Sequence, residues 1–283
     1  MPMGRDALER PGGPPAKPFG ASRGVRKLKA NAIMALWSAI MADLWVSDPG
    51  RRVDRLAPFR IQQFPPRDPA PMATLLTQLS LAEFAERTAA KEPTPGGGSV
   101  AAYIGAVGAA LGVMAARFTE GRKGFEAHSE ALAGDIQGLE ILRGQMMQLV
   151  EADALAYATV TGAYKLPKST PEEKEARKQA IQEGLEVALD PPLRTCRAAV
   201  EGLELLSGLA ERSNPNLISD VAVAAFALGA AYRSAWINVL INLSGLKNEA
   251  QKASLRAEGA GLASRCRVLE DEIGGGITAK LST

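Results

Sequence analysis

From Leu79 onward the chain alternates long apolar or amphipathic runs with short polar breaks, and the apolar positions recur at helical rather than alternating spacing. The breaks carry helix-start chemistry. Ser80–Glu83 (SLAE) and Thr170–Glu173 (TPEE) have the spacing of a capping box, in which the hydroxyl and the carboxylate each satisfy a backbone N–H of the first turn. Pro171 follows Thr170 at the first helical position, where its missing N–H costs nothing. Ser213–Asn216 (SNPN) offers a third start. These signals predict helices near 80–91, 98–119, 127–165, 171–211, 215–245 and 248–272. The fold class they imply is all-α, an antiparallel bundle of five or six helices joined by short loops.

One run breaks the amphipathic rule. Val100 to Ala116 contains no charged residue and is apolar all round, which fits a central buried helix or a membrane span. Small residues recur along it at Ala101, Gly105, Gly108, Gly112 and Ala116, so another helix can approach closely. With a mean hydropathy of −0.04 for the whole chain and amphipathic neighbours, the buried reading, intersubunit contact included, is favoured over a membrane one.

Residues 1–71 follow different rules. Eleven of the 18 prolines fall there, a density that opposes helix and sheet, and the segment is expected to be largely disordered. Within it Ala32–Trp45 forms an apolar stretch behind Arg23, Arg26, Lys27 and Lys29. That arrangement resembles the first two regions of a signal peptide, but Asp43 interrupts it and it is too short to span a bilayer. The reading adopted is an extension ahead of a natural start at Met72, with residues 72–283 as the functional domain. It also holds the positive surplus: twelve Lys or Arg against six Asp or Glu, whereas the remainder has 21 against 25. A mildly acidic body carries no footprint for nucleic acid.

The chemistry inventory excludes several mechanisms. There is one histidine, His128, so a Ser-His-Asp triad or a histidine-rich zinc site is not expected, and no metal is. The two cysteines, Cys196 and Cys266, have no CxxC spacing and point to a reducing, cytoplasmic compartment. What remains are polar residues set into apolar helices. Asn214, Asn216, Ser219 and Asp220 stand at the start of an apolar run, where the dipole keeps a carboxylate ionised or uses it simply as a cap. Asn238 and Asn242 lie one turn apart further along. Eighteen residues are five turns, so Asn238 shares the azimuth of Asp220 at ~27 Å along the axis. One small ligand in one subunit cannot touch both; either the asparagines are structural, or an elongated ligand or a second subunit joins the ends. A third cluster places Asp153, Tyr157 and Tyr164 on one face, with Lys165 and Lys168 around Pro167.

Three stretches, PTPGGGSVAA, the D-A-x-A-Y that leads to AYKLPKSTPEEK, and the NPNLISD that leads to NVLINL, together resemble the formiminotransferase-cyclodeaminase C-terminal family, from about Leu79 to Gly245. That family includes free-standing methenyltetrahydrofolate cyclohydrolases. The resemblance implies a helical homodimer with a tetrahydrofolate derivative as substrate, no prosthetic group, and a cleft to which both subunits contribute. It implies closure of 5-formimino-tetrahydrofolate to the 5,10-methenyl form with loss of ammonia, or hydrolytic opening of the methenyl bridge. A non-catalytic folate-binding dimer is the alternative of another class. Under the enzyme reading Asp220 is the first candidate catalytic carboxylate and Asp153 the second. Asn214, Asn216 and Ser219 are expected to orient the pterin or a water, with Asn238 and Asn242 as further binding candidates. Tyr164, Lys165 and Lys168 would meet the glutamate tail, polyglutamylated forms included. Free N–H groups around Gly97, Gly98 and Ser99 would do so too.

Overall fold

The computed structural model describes residues 74–282; the Pro-rich extension, its basic run and the Ala32–Trp45 stretch lie outside the described residues. Among the described residues there are helices and no strand. A 3₁₀ turn at Leu76–Gln78 precedes α1 (Leu81–Ala89); then come α2 (Gly97–Thr119), α3 (Ser129–Tyr164), α4 (Pro171–Arg212), α5 (Ile218–Gly245) and α6 (Glu249–Glu270). A five-residue π turn, Asp271–Gly275, continues into α7 (Gly276–Leu281). The sequence pattern placed the first six helices within a few residues of these bounds. It did not foresee the π turn, which brings both Ile273 and Ile277 into the core.

Two starts are built by the capping chemistry the sequence announced. Ser80 and Glu83 close one capping box, and Thr170 and Glu173 close the other with Pro171 in the first turn. The chain then runs up and down through α2, α3, α4 and α5, giving a four-helix bundle with α6 laid against α4 and α5. Leu139, Leu142, Met146, Leu203, Leu206 and Leu228 fill its centre and are fully buried. Helix α2 is the close-packed member. A Cβ at Gly112 would come 2.7 Å from Leu206, and one at Gly108 3.1 Å from the Ala224 carbonyl. Larger residues there would push the helices apart.

Among the described residues two helices are long and apolar enough to cross a membrane, Gly97–Thr119 and the run Pro215–Gly245. In the fold 61% of an apolar 18-residue window of the first is buried, whereas only 44% of the corresponding window of the second is. That second helix, α5, therefore keeps an apolar face turned outward.

Prolines 191 and 192 stand inside α4. A proline has no N–H to return to the carbonyl four residues back, so Pro192 leaves the Ala188 carbonyl without its helical donor. The Asn242 side chain supplies one, with Nδ2 donating to Ala188 O at 2.7 Å. This asparagine thus ties α5 to the interrupted turn of α4.

Candidate active site at the glycine-rich helix start

The three glycines Gly96–Gly98 open α2, with Gly96 in an extended conformation ahead of the first turn. The first N–H groups of a helix lack acceptors within it, and the dipole is positive there. Asp153, from the middle of α3, is set onto this start. Its Oδ2 accepts the Ser99 backbone N–H at 2.8 Å, and the buried Ser99 hydroxyl lies 3.1 Å from the same oxygen and 2.9 Å from the Val150 carbonyl. The other oxygen, Oδ1, lies over the Cα of Gly98, where any Cβ would overlap it. Glycine is needed at 98 because the carboxylate occupies the place of its side chain.

Burial pushes the Asp153 carboxyl above its ordinary range, and the two Ser99 bonds pull back only part of that rise. Oδ1 accepts no hydrogen bond among the described residues, so one oxygen is anchored and the other is presented. From the opposite side α5 brings Asn238 against Gly97, at 3.4 Å from where a Cβ would stand. The Asn238 amide donates one N–H to the Ser234 carbonyl at 2.9 Å, which leaves its second N–H and its oxygen for another partner. Five of the sequence candidates are thus gathered at one point: Gly97, Gly98, Ser99, Asp153 and Asn238.

The remaining candidates fall into three places. Tyr164, Lys165 and Lys168 are exposed at the α3–α4 turn, eleven residues or ~17 Å beyond Asp153 along α3. The Tyr164 ring is capped by the Arg177 guanidinium at 5.5 Å. Asn242 is occupied by the Ala188 carbonyl described above. Asn214, Asn216, Ser219 and Asp220 stand at the far end of the bundle, beside the last turn of α2. There the Asn214 N–H donates to Thr119 Oγ1 at 3.0 Å, and its side-chain oxygen accepts the Asn216 N–H. Asp220 is half-buried with no hydrogen-bond or ion-pair partner among the described residues. Within the chain it cannot reach Asp153. Pairing Asp153 with Ser99 was beyond sequence reasoning, since a 54-residue separation carries no local signal.

Hollows of about 420 Å³ beside Arg117, Phe118 and Glu140, and of about 340 Å³ between α3 and α4 around Gly162 and Gly184, lie elsewhere on the described residues. Among the described residues no cluster of three or more His, Cys, Asp or Glu could hold a metal.

The sequence profile of the formiminotransferase-cyclodeaminase family matches residues 80–260. The chain belongs to that family. Among its relatives, the formimidoyltransferase-cyclodeaminase of Rattus norvegicus is 39% identical over 208 residues, which cover 72% of this chain and 38% of the rat enzyme. The chain therefore spans well under half of that protein. The methenyltetrahydrofolate cyclohydrolase of Methylorubrum extorquens is 40% identical over 190 residues, covering 67% of this chain and 91% of the bacterial one. The crystal structure of the formiminotetrahydrofolate cyclodeaminase of Thermotoga maritima superposes with a TM-score of 0.63 at 30% identity, covering 72% of this chain and 99% of that one. Family members thus include a fused enzyme and free-standing domains of this size, and this chain's helical fold is shared with a cyclodeaminase.

Proposed function

We propose that this protein works on the N5–N10 bridge of tetrahydrofolate as a formimidoyltetrahydrofolate cyclodeaminase, releasing ammonia and 5,10-methenyltetrahydrofolate. The observation that carries the proposal is the carboxylate of Asp153, anchored through one oxygen at the start of α2 and free at the other. The reaction starts from the 5-formimino amidinium. N10 attacks its carbon and gives a tetrahedral centre bearing N5, N10 and an amino group. N10 must lose one proton and the amino nitrogen must gain one before it leaves as ammonia. One carboxylate with one free oxygen carries that proton from the first nitrogen to the second. A carboxyl raised by burial holds the proton more readily than an ordinary one, which suits delivery to a departing amine. After delivery Asp153 is ionised beside a delocalised methenyl cation, which it stabilises. Asp153 thereby takes the catalytic place ahead of Asp220 within the protomer.

Asn238 and the free N–H groups of Gly97 and Gly98 orient the pterin side in this scheme, and Tyr164, Lys165 and Lys168 receive the glutamate tail about 17 Å away, including polyglutamate. The same proposal takes the protein as a cytoplasmic homodimer without a prosthetic group. Its two buried free thiols agree with a reducing compartment.

A second reading, methenyltetrahydrofolate cyclohydrolase, is favoured by the 91% coverage of the free-standing bacterial relative. It uses the same route: water adds to the methenyl carbon, Asp153 takes one of its protons and returns it to N5 as the N5–C bond breaks, and the remaining hydroxyl proton is lost to solvent as the carbonyl forms, leaving 10-formyltetrahydrofolate. The test follows the ultraviolet absorbance of 5,10-methenyltetrahydrofolate. Appearance from 5-formimino-tetrahydrofolate with ammonia release is expected. Faster disappearance in water without that release selects the hydrolase, and no acceleration of either above buffer overturns both readings in favour of a binding module.

A further inference from the structure

We propose that Tyr157 recognises the p-aminobenzoyl ring of the folate, stacking on it in a step of the bundle just past the start of α2, and so selects ligands that carry that ring. The proposal rests on the folate reading of Asp153. It adds a specificity residue for the part of the molecule between the reacting bridge and the glutamate tail.

The step follows from the register of the helices. Along α3, Gly112 meets Leu139, Gly105 meets Met146 and Gly98 meets Asp153. Along α5, Gly108 meets Leu228, Gly105 meets Ala231 and Gly97 meets Asn238. Helix α2 starts at this level, but its neighbours run on. Helix α3 continues from Asp153 to Tyr164 and α5 from Asn238 to Gly245, ~17 and ~10 Å further. There α3, α4 and α5 stay packed, Val160 against Gly184 and Leu185 against Gly245. The bundle therefore has four helices on one side of Gly97 and three on the other. Helix α1 is seated on the four-helix side, where Phe84 meets the Tyr103 ring at 5.3 Å. The step is about one helix wide, ~10 Å, and exposed Gly97 lies at its floor.

Tyr157 stands in that step. Val150, two turns earlier and within about 20° of the same azimuth, is buried in a small core with Leu76 and with Ala102 of α2. At Tyr157 α2 has ended, and the residue is 47% exposed. Helical side chains lean back toward the N-terminus, so the phenol covers the turn that carries Asp153, ~6 Å away along the axis. The other three tyrosines are occupied. Tyr103 faces Phe84, Tyr164 lies under Arg177, and Tyr232 donates to the Gly259 carbonyl at 2.8 Å. The Tyr157 ring and hydroxyl meet no ring, cation or hydrogen-bond partner among the described residues.

Along α3 the order is carboxylate, phenol, then the cluster of Tyr164, Lys165 and Lys168. Folate has a matching order of bridge, aromatic ring and anionic tail. Its benzoyl ring is bonded directly to N10, so with the bridge carbon at Asp153 the ring centre falls within one helical turn, ~5 Å. A tail directed to the lysines puts that ring on the Tyr157 side. An offset stack is the favoured contact between two such aromatic faces.

The experiment measures binding of tetrahydrofolate, which neither proposed reaction consumes, to wild type, Tyr157→Phe and Tyr157→Ala. The fragment p-aminobenzoyl-glutamate is the competitor. Tyr157→Phe keeps the ring and is expected to bind within about twofold of wild type. Tyr157→Ala is expected to bind tetrahydrofolate about tenfold more weakly, and the fragment should lose its competition by a similar factor. In steady state Tyr157→Ala should raise KM and leave kcat within about twofold, since the stack is made equally in ground and transition states. Unchanged affinity in Tyr157→Ala, or a fragment that fails to compete against wild type, overturns the proposal and leaves the chemistry at Asp153 standing. An equal loss in Tyr157→Phe assigns recognition to the hydroxyl and overturns it too. A wild type that binds tetrahydrofolate with these shifts but turns over neither substrate overturns the catalytic reading and leaves Tyr157 in its role. A wild type that binds no tetrahydrofolate overturns both.

Discussion

The two ends of the α2–α5 pair use the same residue types and come to different results. At the Thr119 end, Asn214, Asn216 and Thr119 hydrogen-bond one another. Nearby, Arg212 is paired with the buried Asp135 at 2.6 Å. At the Gly97 end, Asp153 and Asn238 are each fixed by part of their bonding capacity and keep the rest. A polar residue in an apolar helix becomes available for chemistry when its neighbours hold it in place without saturating it. The far end is a joint; the near end is a socket.

The sharpest way to break this contrast is at Gly98. Gly98→Ala puts a Cβ where Asp153 Oδ1 now lies, so the carboxylate must turn away from Ser99 or the helix start must shift. Turnover is expected to fall by roughly 10²-fold or more, the scale of a lost general acid–base group. Gly144, half-buried on α3 with nothing near its missing side chain, is the control. Gly144→Ala should retain turnover and gain about 0.5–1 kcal/mol of stability, since alanine is the better helix former. Steady-state kinetics and thermal melts of the two variants decide it. Equal turnover would mean that Asp153 is a buried strut.

Much of this was legible before any coordinates. The capping boxes at Ser80 and Thr170 and the uncharged run after Gly98 set the helices, because caps and periodicity are local. The family resemblance likewise rested on residues that are contiguous in sequence. What was not legible is which carboxylate is held by what. Asp220 looked the better candidate from a helix start and an apolar run. Asp153 ranked second, since its partner Ser99 sits on the neighbouring helix α2, 54 residues away in sequence. Asn242 is the complementary case. Its function as donor to Ala188 follows from Pro192 in a different helix, and only packing joins the two.

At the joint the expected effects are on stability. Removing the acid of a buried ion pair strands the cation, so Asp135→Ala should lower the unfolding free energy by about 3 kcal/mol. Asn242→Ala leaves the Ala188 carbonyl unpaired and should cost about 1–2 kcal/mol. Urea titrations measure both. Folate affinity of Asn242→Ala should move less than about twofold, as it would for a residue whose one strong bond is to backbone. A larger loss would return Asn242 to the binding set.

The smallest effect tests the socket through its protons. The Asp153 carboxyl is held above its ordinary value of 3.8, with burial as the larger cause and the Ser99 bonds opposing it. Between the unfolded value and the raised folded one, the native state binds the proton more tightly than the unfolded chain does. Stability from this group is therefore greatest at low pH and is lost as pH rises through the folded value, after which the penalty is constant. Asparagine at 153 does not titrate. The stability of wild type minus that of Asp153→Asn should thus fall with pH from just below 4 upward and then level off, as read from denaturant midpoints across a pH series. A difference that instead grows with pH would mean that the Ser99 bonds outweigh burial. Asp153 would then hold a proton no better than an ordinary carboxylate, and the deaminase and hydrolase routes, which both pass a proton through it, would lose their carrier together.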